Sequence, residues 1–334
     1  MGTYKEIRGT HIVSVTSDPP SPVNGQMWYN STDRVVKGFT SNPVGSWATG
    51  GSLNTAAVRG WGFGQKDSAL AFGGYLSGAV NRTEQYNGTS WTEVNDLNAA
   101  RWDLSGMGYG DNTAGLAIGG QPSTGIVALN ESWNGSSWTE TTDVNTGRAN
   151  AIGVGTQTSG LFFGGITNNP TDVTADNEYW NGSSWTELNN LNTGKQLAGG
   201  SGINYTAALA FGGESPGTAL LTSTESFNGS TWTEVSDLNT GREALSGNGT
   251  LTSALASGGH VGSDTSTSAT ESWNGSSWTE LTDLSTGRLR MQNRAGSNNT
   301  SALLSGGDSG PGTALTNTEE WTAPVTSTVT FTVS

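Results

Sequence analysis

Six glutamates hold one place in this chain: Glu84, Glu131, Glu178, Glu225, Glu271 and Glu319. Two residues after each stands an aromatic: Tyr86, Trp133, Trp180, Phe227, Trp273 and Trp321. Five cations share a second place, Arg101, Arg148, Lys195, Arg242 and Arg288. Six tryptophans share a third, Trp47, Trp91, Trp138, Trp185, Trp232 and Trp278. Paired carboxylates can run glycoside hydrolysis or ring a metal ion, and exposed aromatics can stack a sugar. A catalytic site, however, does not need the same group in every copy of a repeat. Identical large residues at a fixed offset are what repeating units need to bury their faces on one another. The tryptophans are therefore expected to be cement between units. The Glu–Arg pairs are expected to tie neighbouring units together.

Other chemistry has little to stand on. The only histidines are His11 and His260, and there is no cysteine. Disulfides, thiolate metal sites and Cys nucleophiles are thereby excluded, and no Ser-His-Asp set or His-rich metal site assembles from the sequence. Gly106-Met107-Gly108-Tyr109-Gly110 has the look of a nucleotide loop. No helix pattern follows it and no Gly-Lys-Ser/Thr exists, so that reading fails. The Asn-Gly-Ser/Thr sequons recur at one place inside a hairpin, where turn chemistry explains them. Neither cofactor nor metal is expected.

The elements that carry these residues form an internal repeat. TEQYNGTSWTE, NESWNGSSWTE, NEYWNGSSWTE, TESFNGSTWTE and TESWNGSSWTE end at Glu93, Glu140, Glu187, Glu234 and Glu280, and from Trp91 to Trp278 the tryptophans are spaced 47, 47, 47 and 46 residues apart. Such a period decides the fold. Each repeat reads as four short strands. Segment A carries glycines at period 2, as in Gly60/Gly62/Gly64 and Gly106/Gly108/Gly110. That spacing leaves one face bare for close backbone or aromatic approach. Segment B is an apolar run ending in Gly-Gly, which occurs six times. Segment C holds the glutamate and segment D the Ser-Trp-Thr-Glu tryptophan, with Asn-Gly as the tight turn between them. The sixth copy has no D segment after Trp321, and Gly45-Ser46-Trp47 is an isolated D copy ahead of the first. Complementary ends describe a ring closed by an N-terminal strand, which removes exposed sheet edges.

Composition narrows the partners. The 334 residues carry 14 Lys+Arg and 28 Asp+Glu, a net charge of −14. That excess argues against nucleic acid and against an anionic membrane surface. No apolar run approaches the roughly 20 residues needed to span a bilayer. The opening MGTYKEIRGTHIVSV has no apolar core of a secretory signal.

The Gly-Gly run, the next-strand aromatic, the Trp and the Arg after a turn resemble a kelch-type β-propeller over roughly residues 45–321. The expected fold is all-β. It is a six-bladed propeller of four-stranded antiparallel blades, closed by the Trp47 strand, with a small N-terminal β-hairpin. Ala57 replaces the Arg of the first repeat, and the sixth A segment, Arg288-Leu289-Arg290-Met291-Gln292-Asn293-Arg294, departs from the pattern. Galactose-oxidase-like propellers need a Cys that is missing. Sialidase-like ones carry an Arg triad, whereas these arginines fall one per blade. Pro22–Thr32, PVNGQMWYNST, resembles a segment common in structural proteins of tailed bacteriophages, particularly of marine cyanophages. It implies a virion component, made in the host cytoplasm and exposed on the particle, such as a tail fibre, tail-associated appendage or head decoration.

The expected organisation is a docking segment over 1–44, a propeller over 45–322 and a C-terminal strand over 323–334. The apolar residues Met27, Trp28 and Tyr29 are expected to be exposed and to dock on other virion proteins, the chain being oligomeric in the particle. The tail could pair within the ring, outside it, or with a neighbour. The unlike B–C loops (75–82, 121–129, 166–176, 214–223, 260–269 and 308–317) are where a host-surface glycan or protein would bind. The alternative function is a secreted or surface bacterial carbohydrate-binding propeller, with a lyase or glycosidase behind it.

Overall fold

The structure is a computed structural model and describes residues 12–23, 25–42, 45–110, 112–167, 172–262, 265–291, 293–310 and 313–331. Every helix or strand among them is a β-strand, and the 28 strands form seven four-stranded sheets. The chain divides into two compact units, Met1–Gly45 with Ala323–Ser334, and Ser46–Thr322.

The smaller unit is one sheet of β1 (Val13–Val15), β2 (Met27–Asn30), β3 (Val35–Asn42) and β28 (Val325–Phe331), in that order. β1 runs parallel to β2, while the β2–β3 and β3–β28 pairs are antiparallel. This corrects the expectation of six sheets and a bare hairpin. The seventh sheet arises because Val325–Phe331 alternates Thr/Ser with Val and Phe and pairs along the edge of β3, which a lone hairpin would leave open. Asp18 anchors the unit. Its carboxylate accepts from Trp28 Nε1 at 3.0 Å, Asn30 Nδ2 at 2.8 Å and Lys37 Nζ at 2.9 Å. These bonds, Asn30's foremost, hold its pKa down at about 2.

The larger unit contains the other six sheets. β4 (Ser46–Gly50) comes first in the chain. Sheet I is β5 (Trp61–Gln65), β6 (Ser68–Phe72), β7 (Thr83–Tyr86) and β8 (Trp91–Glu93). Sheet II is β9 (Ser105–Met107), β10 (Gly115–Ile118), β11 (Asn130–Trp133) and β12 (Trp138–Thr141). Sheet III is β13 (Ile152–Thr156), β14 (Ser159–Phe163), β15 (Asn177–Trp180) and β16 (Trp185–Leu188). Sheet IV is β17 (Gly199–Asn204), β18 (Ala207–Phe211), β19 (Thr224–Phe227) and β20 (Trp232–Val235). Sheet V is β21 (Ser246–Thr250), β22 (Ser253–Ser257), β23 (Thr270–Trp273) and β24 (Trp278–Glu280). Sheet VI is β25 (Asn293–Asn298), β26 (Ser301–Ser305) and β27 (Thr318–Thr322), completed by β4. All pairs within these sheets are antiparallel; sheets I to V are meanders, and in sheet VI β4 joins from the other end of the unit, with Trp47 opposite Trp321.

The innermost strands β5, β9, β13, β17, β21 and β25 follow one another around an axis, and β25 adjoins β5. This is the arrangement of a β-propeller. The B strands explain the stacking. In Ser68–Phe72, Leu70 and Phe72 face sheet II, with Ala117, Trp133 and Trp138. Ala69 and Ala71 face sheet VI, with Ala295 and Leu303. Period-2 alternation thus gives sheet I a large face and a small face, and sheet IV repeats it, with Ala208 and Ala210 toward sheet III and Leu209 and Phe211 toward sheet V. The A-strand glycines allow the inner strands to crowd. A Cβ on Gly153 would lie 2.6 Å from the Gly106 carbonyl oxygen, and one on Gly108 would enter the Phe63 ring.

Candidate functional site

The five cation–glutamate pairs are all buried. Arg101–Glu131 measures 2.7 Å, Arg148–Glu178 2.9 Å, Lys195–Glu225 3.1 Å, Arg242–Glu271 3.0 Å and Arg288–Glu319 2.6 Å. Each cation sits on the linker that enters a sheet, and its glutamate on the third strand of that sheet. The glutamate also grips the linker backbone. Glu131 accepts from Asn98 N at 2.7 Å and Asn98 Nδ2 at 2.9 Å, and Glu178 from Asn145 N at 2.8 Å. Each pair therefore fixes how one sheet is joined to the next. In the first repeat Ala57 stands in the cation's place, and among the described residues Glu84 keeps only linker donors, Asn54 N at 2.8 Å, Asn54 Nδ2 at 2.9 Å and Thr55 N at 3.1 Å.

The arginine fork does more. Arg101 Nη1 donates to the Gly119 and Leu129 carbonyls at 2.9 and 3.0 Å, and Arg288 Nη1 to Gly306 and Asn317 at 3.2 and 3.0 Å. Lys195 offers only Nζ, which donates to Ser223 Oγ at 3.2 Å besides its ion pair. Lys195→Arg is expected to add about 1 kcal/mol of stability, read as a melting point roughly 2–4 °C higher. A lower melting point would show that this site has no room for the fork.

The D-strand tryptophans bridge sheets. Trp138 of sheet II meets Phe72 of sheet I at 4.9 Å and donates from Nε1 to Thr83 Oγ1 at 3.0 Å. Trp232 meets Phe163 at 5.0 Å, Trp278 meets Phe211 at 4.8 Å, and Trp91 Nε1 donates to Thr318 Oγ1 at 3.0 Å. Each also packs on the aromatic of its own C strand, as Trp180 and Trp185 do at 5.0 Å. Trp91, Trp138, Trp185, Trp232 and Trp278 are buried, and Trp47 is half-buried.

The residues that do not repeat come together at one end of the ring. In all six sheets the linker just before the A strand turns through a left-handed residue: Arg59, Asp103, Asn150, Leu197, Ala244 and Arg290, with φ between 50° and 59°. Only glycine adopts this region freely, and each costs roughly 1–2 kcal/mol. A closed ring of hydrogen bonds offsets the strain. The N–H of Asp103 donates to the carbonyl of Arg59, Asn150 to Asp103, Leu197 to Asn150, Ala244 to Leu197, Arg290 to Ala244 and Arg59 to Arg290, at 2.7–3.2 Å. Beside each stands a bridge to the start of a B–C loop: Val58–Tyr75, Trp102–Gln121, Ala149–Ile166, Gln196–Glu214, Glu243–His260 and Leu289–Asp308. The backbone is six-fold, and the six side chains it presents are of five kinds, with arginine at two of the places.

Those side chains form two groups. On one side Asn150 Nδ2 donates to Gln196 Oε1 at 3.2 Å, and Gln196 Nε2 to Glu214 Oε2 at 2.8 Å. Glu243 lies against Glu214 and meets His260 Nδ1 at 3.1 Å, and burial, then the Glu214 charge, raises its pKa. On the other side Asp103 accepts from Gln121 Nε2 at 3.0 Å and from Arg59 Nη1 at 3.3 Å. Burial pushes Asp103 up, while Arg59 and Arg290 oppose the rise. Below, a glycine-lined channel of about 60 Å³ contains Arg294. Its guanidinium stacks over Trp61 at 4.3 Å, and burial lowers its pKa to about 10. Above the seam of sheets VI and I opens a cleft of about 530 Å³, lined by Val58, Arg59, Tyr75, Leu76, Trp102, Arg290 and Asp308 among others.

Several expectations change here. Arginines do not fall only one per sheet, because Arg59, Arg290 and Arg294 converge at one seam. The irregular sixth A segment supplies two of them. Arg290 and Arg294 showed in the sequence only as part of that irregular segment, and Arg59, Trp102 and Asp103 did not stand out. Aligning the copies two residues past the Arg101/Arg148/Lys195/Arg242/Arg288 place would have exposed the variable position. In the smaller unit, Trp28 is 1% exposed and bonded to Asp18, which corrects its expected exposure, while Met27 and Tyr29 are half-buried. His11 lies outside the described residues. Among the described residues no cluster of three or more His, Asp or Glu is arranged to hold a metal ion.

No family model and no curated protein matches the chain. Among solved structures, one titled "Structure of YjhT" resembles it with a TM-score of 0.69 at 13% identity, covering 83% of this chain and 99% of that one. With 396 solved chains matching, the fold is too widely shared to name an activity. The likeness shows the fold alone, a β-propeller of four-stranded antiparallel sheets.

Proposed function

We propose that this chain is a non-enzymatic virion component of a tailed bacteriophage: a six-bladed kelch-type propeller whose loop face recognises the host surface and whose smaller unit attaches it to the particle. One observation carries the recognition half. A six-fold backbone ring presents Arg, Asp, Asn, Leu, Ala and Arg at equivalent positions, which a purely structural face would have no reason to diversify. The PVNGQMWYNST segment carries the virion half, with Met27 and Tyr29 as the partly exposed apolar residues of its strand. The non-enzymatic reading is supported by the carboxylates. The repeated glutamates are buried, five of them paired with a cation and Glu84 held by linker donors, and Glu214 and Glu243 lie against each other. Glycoside hydrolysis needs its two carboxyls about 5 Å or more apart, with the sugar between them.

Deleting residues 1–45 together with 323–334 tests attachment. The remaining ring is expected to fold and to be absent from purified particles. Particles that incorporate it at the normal level would remove the attachment role. A bacterial surface lectin is the second reading, favoured by the aromatic cleft, and it predicts no incorporation by either form.

A further inference from the structure

The cleft at the seam of sheets VI and I has a chemistry of its own. Arg59 and Arg290 are consecutive members of the backbone ring, joined by the 3.2 Å bond from Arg59 N to Arg290 O. Both hold left-handed backbones, and both side chains line the cleft. Arg59 is tied to Asp103. Arg290 is not: among the described residues its guanidinium makes no hydrogen bond or ion pair, although Asp308 lines the same cleft. Its charge acts on Asp308, Asp103 and Glu243, but with no direct hydrogen bond or ion pair the half-buried guanidinium keeps its donors open to an anion.

Aromatic side chains line the same cleft. Tyr75 and Trp102 meet edge to face at 5.4 Å, and Tyr75 is 39% exposed, with Leu76 at 52% beside it. An exposed aromatic face beside polar groups suits the apolar face of a pyranose ring. Asp308 would accept hydroxyl hydrogens from that ring. The volume, about 530 Å³, lies within the range of small-ligand pockets, about 300–1,000 Å³.

We infer that this cleft binds a carboxylate-bearing sugar. The ring lies on Tyr75 and Trp102, the carboxylate on the Arg290 guanidinium with Arg59 behind it, and a hydroxyl on Asp308. The inference rests on the reading of the loop face as a recognition surface and names what that face takes.

The test uses the full chain and short glucuronate and galacturonate oligosaccharides, each beside its carboxyl-reduced counterpart, with binding measured calorimetrically at two salt concentrations. The acid forms are expected to bind at least about ten-fold more tightly at low salt, and the preference to shrink as salt rises. Arg290→Gln is expected to abolish the preference while leaving the weak binding of the reduced sugars. Trp102→Ala is expected to weaken both. Equal affinity for acid and reduced forms, no binding of either, or a preference that survives Arg290→Gln would overturn the assignment. The comparison within the unsubstituted chain does not depend on any variant folding. Particle incorporation of Arg290→Gln at the normal level, with the acid preference lost, separates this site from the attachment role. A failed acid preference leaves attachment standing, and failed attachment leaves the cleft standing.

Discussion

Glu131→Gln is expected to destabilise the ring by about 3–5 kcal/mol, because it leaves a buried cation uncompensated. The carboxylate takes Arg101 Nη2 at 2.7 Å and two donors from Asn98 at 2.7 and 2.9 Å. An amide of the same shape loses the charge and turns an N–H₂ toward groups that are all donors. The partner substitution should be milder. Arg101→Met frees the Gly119 and Leu129 carbonyls, but Glu131 keeps the linker donors. The chain holds its own control, since Glu84 is buried at 3% exposure on linker donors alone, with Ala57 where an arginine would stand. Denaturant titration of both variants and of Arg101→Met/Glu131→Leu gives the comparison. The double variant is expected to lose less than Glu131→Gln, since no buried charge is left unpaired. Equal losses for the two single variants would refute the glutamate-centred account and return the pair to a simple ion pair.

Trp185→Ala is expected to lower stability by about 3–5 kcal/mol. The indole is 7% exposed, packs on Trp180 at 5.0 Å and on Phe162 of its own sheet at 6.1 Å, and donates from Nε1 to the carbonyl of Thr142, just past β12 of sheet II, at 3.0 Å. Truncation opens a cavity between two sheets and frees a carbonyl. The surroundings cannot collapse to fill it, because both neighbours are locked in the ring. Trp47→Ala should cost less. That side chain is half-buried, meets Trp321 at 5.4 Å and packs at the edge of the Leu284, Met291 and Leu304 cluster, and among the described residues its Nε1 has no partner. Thermal melting of the two variants side by side gives the test. A Trp185→Ala melting point equal to that of the unsubstituted chain would show that the tryptophan layer does not hold the sheets together.

The framework was legible because it repeats. Four-strand units, the Asn-Gly turns and the D strand missing after Trp321 follow from local pattern alone. Period-2 alternation and positive-φ turns are properties of neighbouring residues. The Trp47 strand could be matched to its place for the same reason, as one more copy of a known pattern. The glutamates and cations were legible as a recurring set, but their division of labour was not. That Glu131 holds the linker amides, with Arg101 as one donor among several, depends on where the linker passes after the sheet has formed.

What the sequence determined by itself is the repeated part: the all-β class and the four-stranded unit. Only the tertiary structure decided the rest. The strand Val325–Phe331 had three places it could pair, and it took the free edge of β3 to make the seventh sheet. Trp28 had a sequence that allowed exposure, and Asp18, ten residues away, buried its indole nitrogen in a hydrogen bond. Arg59 and Arg290 are 231 positions apart in the chain and adjacent in the ring because closure brings the first sheet against the last. No local pattern encodes such a meeting. It exists only once the ring closes, and the candidate site lies at that seam.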